Sequence, residues 1–385
     1  MTSNYQLIAS PETWIEGEAL RQLEQTAALP GMRQAVGLPD LHPGKGYPIG
    51  AAFLSERIYP ALVGNDIGCG MALWPLDLTQ RKFKPERAAE RLQGLENRWD
   101  GNLDDWRAEF GLEPTAFDAS LGTIGGGNHF AEVQAVAEVL DPVALAMLDI
   151  DPHQLLLLVH SGSRGLGEAV LRAVIDQHGH HGLDPVSAEA TEYLRQHDQA
   201  LRWAEVNRRL IAHRVMTALN TTGARRLDIG HNRVQPVDWQ GEQLWLHRKG
   251  AAPADCGPLV IPGSRGTLSY LVQPRTDNDH SLRSLAHGAG RKWKRGEARS
   301  RLSRRQRPED LMTTALGGWV ICEDRELLYD EAPENYKGID RVVADLGEAG
   351  LIDVIATLRP VLTYKVRRPT PRPSGARQPH LRNRP

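Results

Sequence analysis

Asp66 and Cys69 stand three residues apart across a glycine in NDIGCGM (65–71), so a carboxylate and a thiolate can reach one ion or two adjacent ions. A thiolate can bridge two metals. Three histidines sit in similar glycine-rich company: His129 in GGGNHFAEV (125–133), His160 in HSGSRGLG (160–167) and His231 in DIGHN (228–232). Neutral imidazoles added to carboxylate and thiolate make a mixed O, S and N donor set, which suits zinc or manganese better than magnesium or calcium. A structural zinc site would instead pair cysteines at short spacing. Taken alone, Cys69 also reads as a small buried hydrophobe.

His287 opens HGAGRKWKR (287–295), where an imidazole stands beside backbone N–H groups and a guanidinium. That company suits a phosphoryl group, and imidazole nitrogen is a competent nucleophile toward phosphorus when the reacting phosphate is held in line. PDLHPGKG (39–46) and PGSRGTLSY (262–270) repeat the style, glycine letting backbone N–H groups approach a ligand closely. Ser264, Ser269 and Asn128 offer further hydrogen bonds to phosphate or base. A lone histidine in a turn is usually an ordinary residue. The weight lies in the recurrence of the pattern along one chain.

These segments need a scaffold, and 385 residues at 41% hydrophobic and 24% charged can bury a large core. No linker-like composition interrupts the chain before its C-terminus, so a single large domain is expected over 1–365. The run 155–160 (LLLLVH) predicts a buried strand feeding the SGSRGLG turn, while 20–28, 168–178, 188–218 and 341–351 predict helices. Residues 244–249 and 317–322 predict short strands. From 36 to 53, glycine and proline are dense enough to predict loops. No dinucleotide or P-loop glycine motif opens a helix after a strand, which disfavours a doubly wound nucleotide fold and leaves α+β.

The formal charge of -2 announces no anionic partner, and the distribution is more informative. From 291 to 308 the chain has nine Lys/Arg and one acid, whereas 96–113 is acidic. Such a basic run is either a solvated face or a path for a polyanion. Three cysteines, Cys69, Cys256 and Cys322, with no paired spacing argue against a disulfide framework. The start lacks a secretory pattern and no apolar stretch approaches membrane-spanning length, so a cytoplasmic protein is expected. Residues 366–385, with six Arg, five Pro and no acid, are expected to form a disordered basic tail.

The ordered set of motifs, from PDLHPGKG to LRPVLTYK (358–365), resembles the RtcB family of RNA ligases. The resemblance implies a single α+β domain of that family's type, with sheets, surrounding helices and a central metal cleft. It implies two manganese ions sharing Cys69, with Asp66 and His129 completing one ligand set and His160 and His231 the other. His287 would accept GMP from GTP. Gly288, Ala289, Gly290 and Arg291 would surround the nucleotide, as would Ser264 and Ser269. Asn128 and Asn232 would neighbour the phosphates. Glu132, Tyr336 and Lys365 would hold guanine, and Asp40 would lie near the reaction centre. The implied reaction joins RNA 3'-phosphate or 2',3'-cyclic phosphate ends to 5'-hydroxyl ends through a histidine guanylate.

Asn65, Arg265 and a short stretch between Cys69 and Gly125 depart from the family's common form. The opening SPETWIEGEALRQLEQTAALPGM looks most like the branch encoded beside release factor H, which implies ribosomal RNA repair and release factor H as a partner. Two other readings use the same residues. One is a two-metal phosphodiesterase or nuclease that cuts without ligating; the other is a non-catalytic RNA-binding ribosome-rescue protein.

Overall fold

The buried run 155–159 is fully inaccessible to solvent, and its alternation explains why it is apolar throughout. Leu155, Leu157 and Val159 pack on one side with Ile211, Ala212 and Val215 of the long helix Ala188–Leu219. Leu156 and Leu158 face the other way, toward Val260, Leu271 and Leu358. A strand covered on both faces needs no polar side. In the computed structural model, which describes residues 4–367, this strand, Gln154–Ser161, lies inside an eight-stranded sheet. Residues 368–385 of the expected tail lie outside the described residues; Val366 ends a strand and Arg367 follows it.

The order of that sheet is Leu259–Ile261, Ser269–Pro274, Ile352–Val366, Phe130–Val139, Gln154–Ser161, Gly70–Thr79 and Leu227–Gly230, with Trp319–Cys322 pairing in parallel beside Ile352–Val366. A five-stranded sheet runs Tyr5–Leu7, Met32–His42, Ile49–Ser55, Glu242–Lys249 and Asn232–Trp239. A short ladder joins Ala251–Pro253 to Ser284–Ala286. Helices flank the sheets in one α+β domain. None of the helices among the described residues is long and apolar enough to cross a membrane.

The helix expectations hold with shifted ends: Gly17–Ala27, Gly165–His178, Ala188–Leu219 and Ile339–Glu348. The long helix starts where the Ser187 hydroxyl accepts from the Ala190 N–H at 3.1 Å and stops at Asn220, which takes the left-handed φ of 54°. The strand expectations at 244–249 and 317–322 are met by Glu242–Lys249 and Trp319–Cys322.

The loop expectation at 36–53 holds only for 43–48 and is wrong on either side. Met32–His42 and Ile49–Ser55 are antiparallel strands, and Gly37 and Pro39 fit them for separate reasons. A Cβ on Gly37 would come within 2.9 Å of Leu23, so glycine lets the helix Gly17–Ala27 press onto the strand. Pro39 falls where the ladder skips from Gly37 to His42, so its missing N–H breaks no ladder bond.

Candidate active site

Antiparallel pairing sets the start of one strand beside the end of the next, which gathers distant residues at one end of the large sheet. Cys69 immediately precedes Gly70–Thr79, His129 precedes Phe130–Val139, His160 is penultimate in Gln154–Ser161, and His231 follows Leu227–Gly230. The register aligns them: Met71 and Phe130 both face His160, and Gly70 faces Gly230.

Their donor atoms form two groups, Cys69 with His160 and His231, and Asp66 with Cys69 and His129, each group lying within 4.8 Å. Cys69 belongs to both. Its Sγ lies 3.2 Å from His160 Nε2 and 3.4 Å from His129 Nε2, and the latter nitrogen is 2.7 Å from Asp66 Oδ2. The far nitrogens orient the rings. His129 Nδ1 donates to the Ile124 carbonyl and His160 Nδ1 to the Asn128 carbonyl, both at 3.1 Å, leaving each Nε2 turned to the thiol.

Burial, reinforced by neighbouring imidazoles and cations, holds His160 and His231 well below the ordinary histidine pKa, which favours the neutral form that could ligate a metal. Burial, and then the Asp66 carboxylate, push the Cys69 thiol well above its ordinary value. For Asp66 burial acts upward, but His129, Cys69 and Arg164 together draw the carboxyl below its usual range. A cation in either group would favour the thiolate that burial opposes, so the donor set fits metal. Gly162 makes room, because a Cβ there would lie 2.3 Å from Asp66 Oδ1.

His287 follows the short strand Ser284–Ala286 and stands beside this cluster, its ring 4.8 Å from that of His231. Asp40, fully buried near the end of Met32–His42, accepts from His287 Nδ1 at 2.6 Å and from the His287 backbone N–H at 3.2 Å. In a neutral ring with its proton on Nδ1, Nε2 carries the free lone pair. His42 stacks alongside at 6.3 Å, its Nδ1 donating to the Asp40 carbonyl at 2.8 Å, and burial lowers its pKa to about 4. Lys337 donates to the carbonyls of Pro39 at 3.1 Å and Leu41 at 2.7 Å, the residues on either side of Asp40.

A cleft opens from His160 and His287 and is lined by Asn128, Glu132, Ser264, Gly288, Ala289, Gly290, Arg291, Tyr336 and Lys365. The register Thr363 with Glu132 brings the closing strand Ile352–Val366 to the glycine-rich segment. Glu132 accepts from Thr363 and, at 2.6 Å, from Gln134, yet burial raises its pKa to about 6. Three of the expected residues meet on one carboxylate that no motif singles out: Glu331 accepts from Tyr336 at 2.6 Å, Arg291 at 3.2 Å and Lys365 at 3.4 Å.

Two expected residues lie off the cleft. Asn232 spends its amide on the backbone, donating to the Asp66 carbonyl at 3.0 Å and accepting from Gly250 N–H at 2.7 Å. Ser269 is buried, accepting from Gly263 N–H and Gln134 at 3.2 Å each. Glu331, Thr363, His42 and Lys337 carry no spacing signal of their own, although His42 sits inside PDLHPGKG and Lys337 inside ENYKGID.

Comparison with known proteins gives the same ordered match along the chain. The family model described as "tRNA-splicing ligase RtcB" covers residues 22–108 and 100–366. The Escherichia coli protein named RNA-splicing ligase RtcB2 is 50% identical over 367 residues, spanning 93% of this chain and 94% of its own length. An Escherichia coli RNA-splicing ligase RtcB is 31% identical over 430 residues, spanning 94% of this chain and 100% of its own. The tRNA-splicing ligase RtcB of Archaeoglobus fulgidus is 30% identical, spanning 90% and 91%. With a shared thiol between two donor groups and a family match over nearly the whole described chain, the protein belongs to the RtcB family of RNA ligases.

Proposed function

We propose that this chain is a GTP- and manganese-dependent ligase that joins RNA 3'-phosphate or 2',3'-cyclic phosphate ends to 5'-hydroxyl ends. The single observation that carries the reading is the Asp40–His287 hydrogen bond, which frees Nε2 as a nucleophile beside a two-group donor cluster. Asp66, Cys69 and His129 would hold one Mn2+ and Cys69, His160 and His231 the other. Bound there, the ions supply charge neutralisation and alignment for phosphoryl transfer.

His287 Nε2 attacks the α-phosphorus of GTP, forming an N–P bond as pyrophosphate leaves. Asp40 holds the Nδ1 proton and stabilises the charge that the ring gains. An RNA 3'-phosphate oxygen then takes GMP from His287, breaking the N–P bond. The 5'-hydroxyl oxygen attacks the activated 3'-phosphorus, GMP departs, and the hydroxyl proton is released. A 2',3'-cyclic end is opened at the same centre beforehand. Arg291 and the backbone of Gly288, Ala289 and Gly290 would grip the nucleotide phosphate, with Asn128 and Ser264 nearby. Asn232 and Ser269 would then act by shaping the loops around it. Repair of ribosomal RNA in partnership with release factor H is the biological setting that the opening segment's resemblance favours, and the cytoplasm is the compartment. Incubation with α-labelled GTP and Mn2+ tests the reading: acid-labile label on the chain is expected, and its absence would leave the nuclease or rescue-factor readings.

Guanine selectivity is assigned to Glu132, with Tyr336 and Lys365. If its carboxylate accepts from the N1 and N2 donors of guanine, Glu132→Gln leaves a donor unpaired and costs roughly 1–3 kcal/mol of GTP binding. Preference for GTP over ATP should fall accordingly in a guanylation assay. The raised pKa adds a pH signature: GTP affinity should drop as pH falls through about 6, where the acceptor becomes protonated, and Glu132→Gln should flatten that limb. An unchanged GTP-to-ATP preference would place the base elsewhere.

The basic run continues from the cleft, where Arg295 donates to Asn128 at 3.3 Å, onto a surface on which Arg301, Arg304 and Arg305 are exposed. Replacing these last three with alanine should spare self-guanylation but weaken RNA binding. The slope of log affinity against log salt should flatten by roughly 0.7 per lost phosphate contact on single strands. Ligation rates against RNA concentration at two salt levels measure this; wild-type behaviour at limiting RNA would move the RNA path to another surface.

A further inference from the structure

Two consecutive residues of the long helix Ala188–Leu219 touch every segment that carries a donor atom, although neither is a donor itself. Arg208 is buried, and its Nη1 donates to the Gly68 carbonyl at 2.7 Å and the Ser161 carbonyl at 2.9 Å. Those carbonyls adjoin Cys69 and His160. The rest of the guanidinium holds Asp228 Oδ1, through Nε at 2.9 Å and Nη2 at 2.5 Å, three residues before His231.

Asn207, also fully buried, covers the remaining side. Its Oδ1 accepts from Gly122 N–H at 2.7 Å, and its Nδ2 faces the Ser161 hydroxyl at 3.0 Å, the Gly162 carbonyl at 3.1 Å and the Thr123 carbonyl at 3.3 Å. The Ser161 hydroxyl in turn donates to the Ile124 carbonyl at 2.9 Å, the same oxygen that orients His129. Glycine lets the loops sit this close: a Cβ on Gly68 would meet Ala204 at 2.9 Å, and one on Gly122 would meet Leu210 at 2.6 Å.

We propose that Asn207 and Arg208 are positioning residues that set the spacing of the two donor groups about Cys69, and through it the affinity and coupling of the paired ions. The inference rests on the two-ion reading given above. Such partners behind the ligands, when removed, typically cost 10–100-fold in metal affinity. Lysine keeps the charge opposite Asp228 but cannot span two carbonyls and a carboxylate with a planar fork.

The test is titration of the full chain with MnCl2 alone, read by calorimetry and by electron paramagnetic resonance, with thermal melting in parallel. Wild type should bind two ions whose spins couple through the shared thiolate. Arg208→Lys should bind Mn2+ about 10–100-fold more weakly with an altered or absent coupled spectrum. Asn207→Ala should show the same signature near the lower end of that range, and decides the matter if Arg208→Lys does not fold. Variants that melt lower but bind two ions with wild-type affinity and spectrum would overturn the proposal, reducing the pair to packing. Failure of wild type itself to bind two ions would overturn the two-ion reading instead.

Discussion

His287→Ala is expected to abolish self-guanylation while leaving metal content and fold near normal. On the proposed mechanism the label is carried by His287, so the loss should span several orders of magnitude. The ring is not in either donor group, which is why metal should stay. Alanine also removes the ring donor to the buried Asp40 carboxylate, leaving it the backbone N–H of residue 287, while its Oδ1 already has no hydrogen-bond partner. Some loss of thermal stability is therefore expected alongside the loss of chemistry. Asp40→Asn sharpens the result: its amide can donate to Nδ1, which moves the ring proton to Nε2 and blocks attack. A loss of about 10^4-fold, the scale seen when a comparable orienting aspartate is made asparagine, is expected with the imidazole still in place. Labelling with α-labelled GTP measures both variants, and wild-type label on His287→Ala would remove it as the nucleophile.

Cys69→Ser should be as damaging by a different route. Serine matches the shape of cysteine, so packing of a residue only 4% exposed is disturbed little. Its hydroxyl stays protonated and bridges ions far more poorly than thiolate. Because Cys69 is common to both donor groups, one substitution removes a ligand from each. Both ions should be lost on gel filtration, and guanylation and RNA joining should fail together. Elemental analysis decides it; full occupancy by two ions would mean that the thiol is a packing residue.

The chemistry was legible in the sequence to the extent that it was written locally. Asp66 with Cys69, and the histidines in glycine-rich turns, announce themselves by type and spacing. The strand at 155–159 is equally plain, since five consecutive apolar residues need cover on both faces. What escaped was non-local. Glu331 becomes the meeting point of Arg291, Tyr336 and Lys365 only once the chain has closed on itself, and nothing in DEAPENY marks it. The hairpin built from Met32–His42 and Ile49–Ser55 was hidden because its glycines serve different ends, Gly37 answering to a helix packed across the strand and Gly46 to the bend between the strands. Asn207 and Arg208 read as ordinary polar positions of a charged helix until the loops are laid against it.

The closing strand Ile352–Val366 occupies the middle of the large sheet, between Ser269–Pro274 and Phe130–Val139. Among the described residues, the last strand synthesised is therefore one of the most interior. A ribosome making this protein must emit both flanking portions of the sheet before the piece that joins them exists, and until then each presents an unpaired edge. Thr363 and Lys365 arrive with that strand, so nascent chains hold the metal-type residues long before they hold a complete cleft. Pairings that span more than two hundred residues also make late, slow closure the natural order of folding. A chain interrupted before residue 352 would be left with a split sheet and two open edges, a species suited to aggregation or degradation and not to ligation.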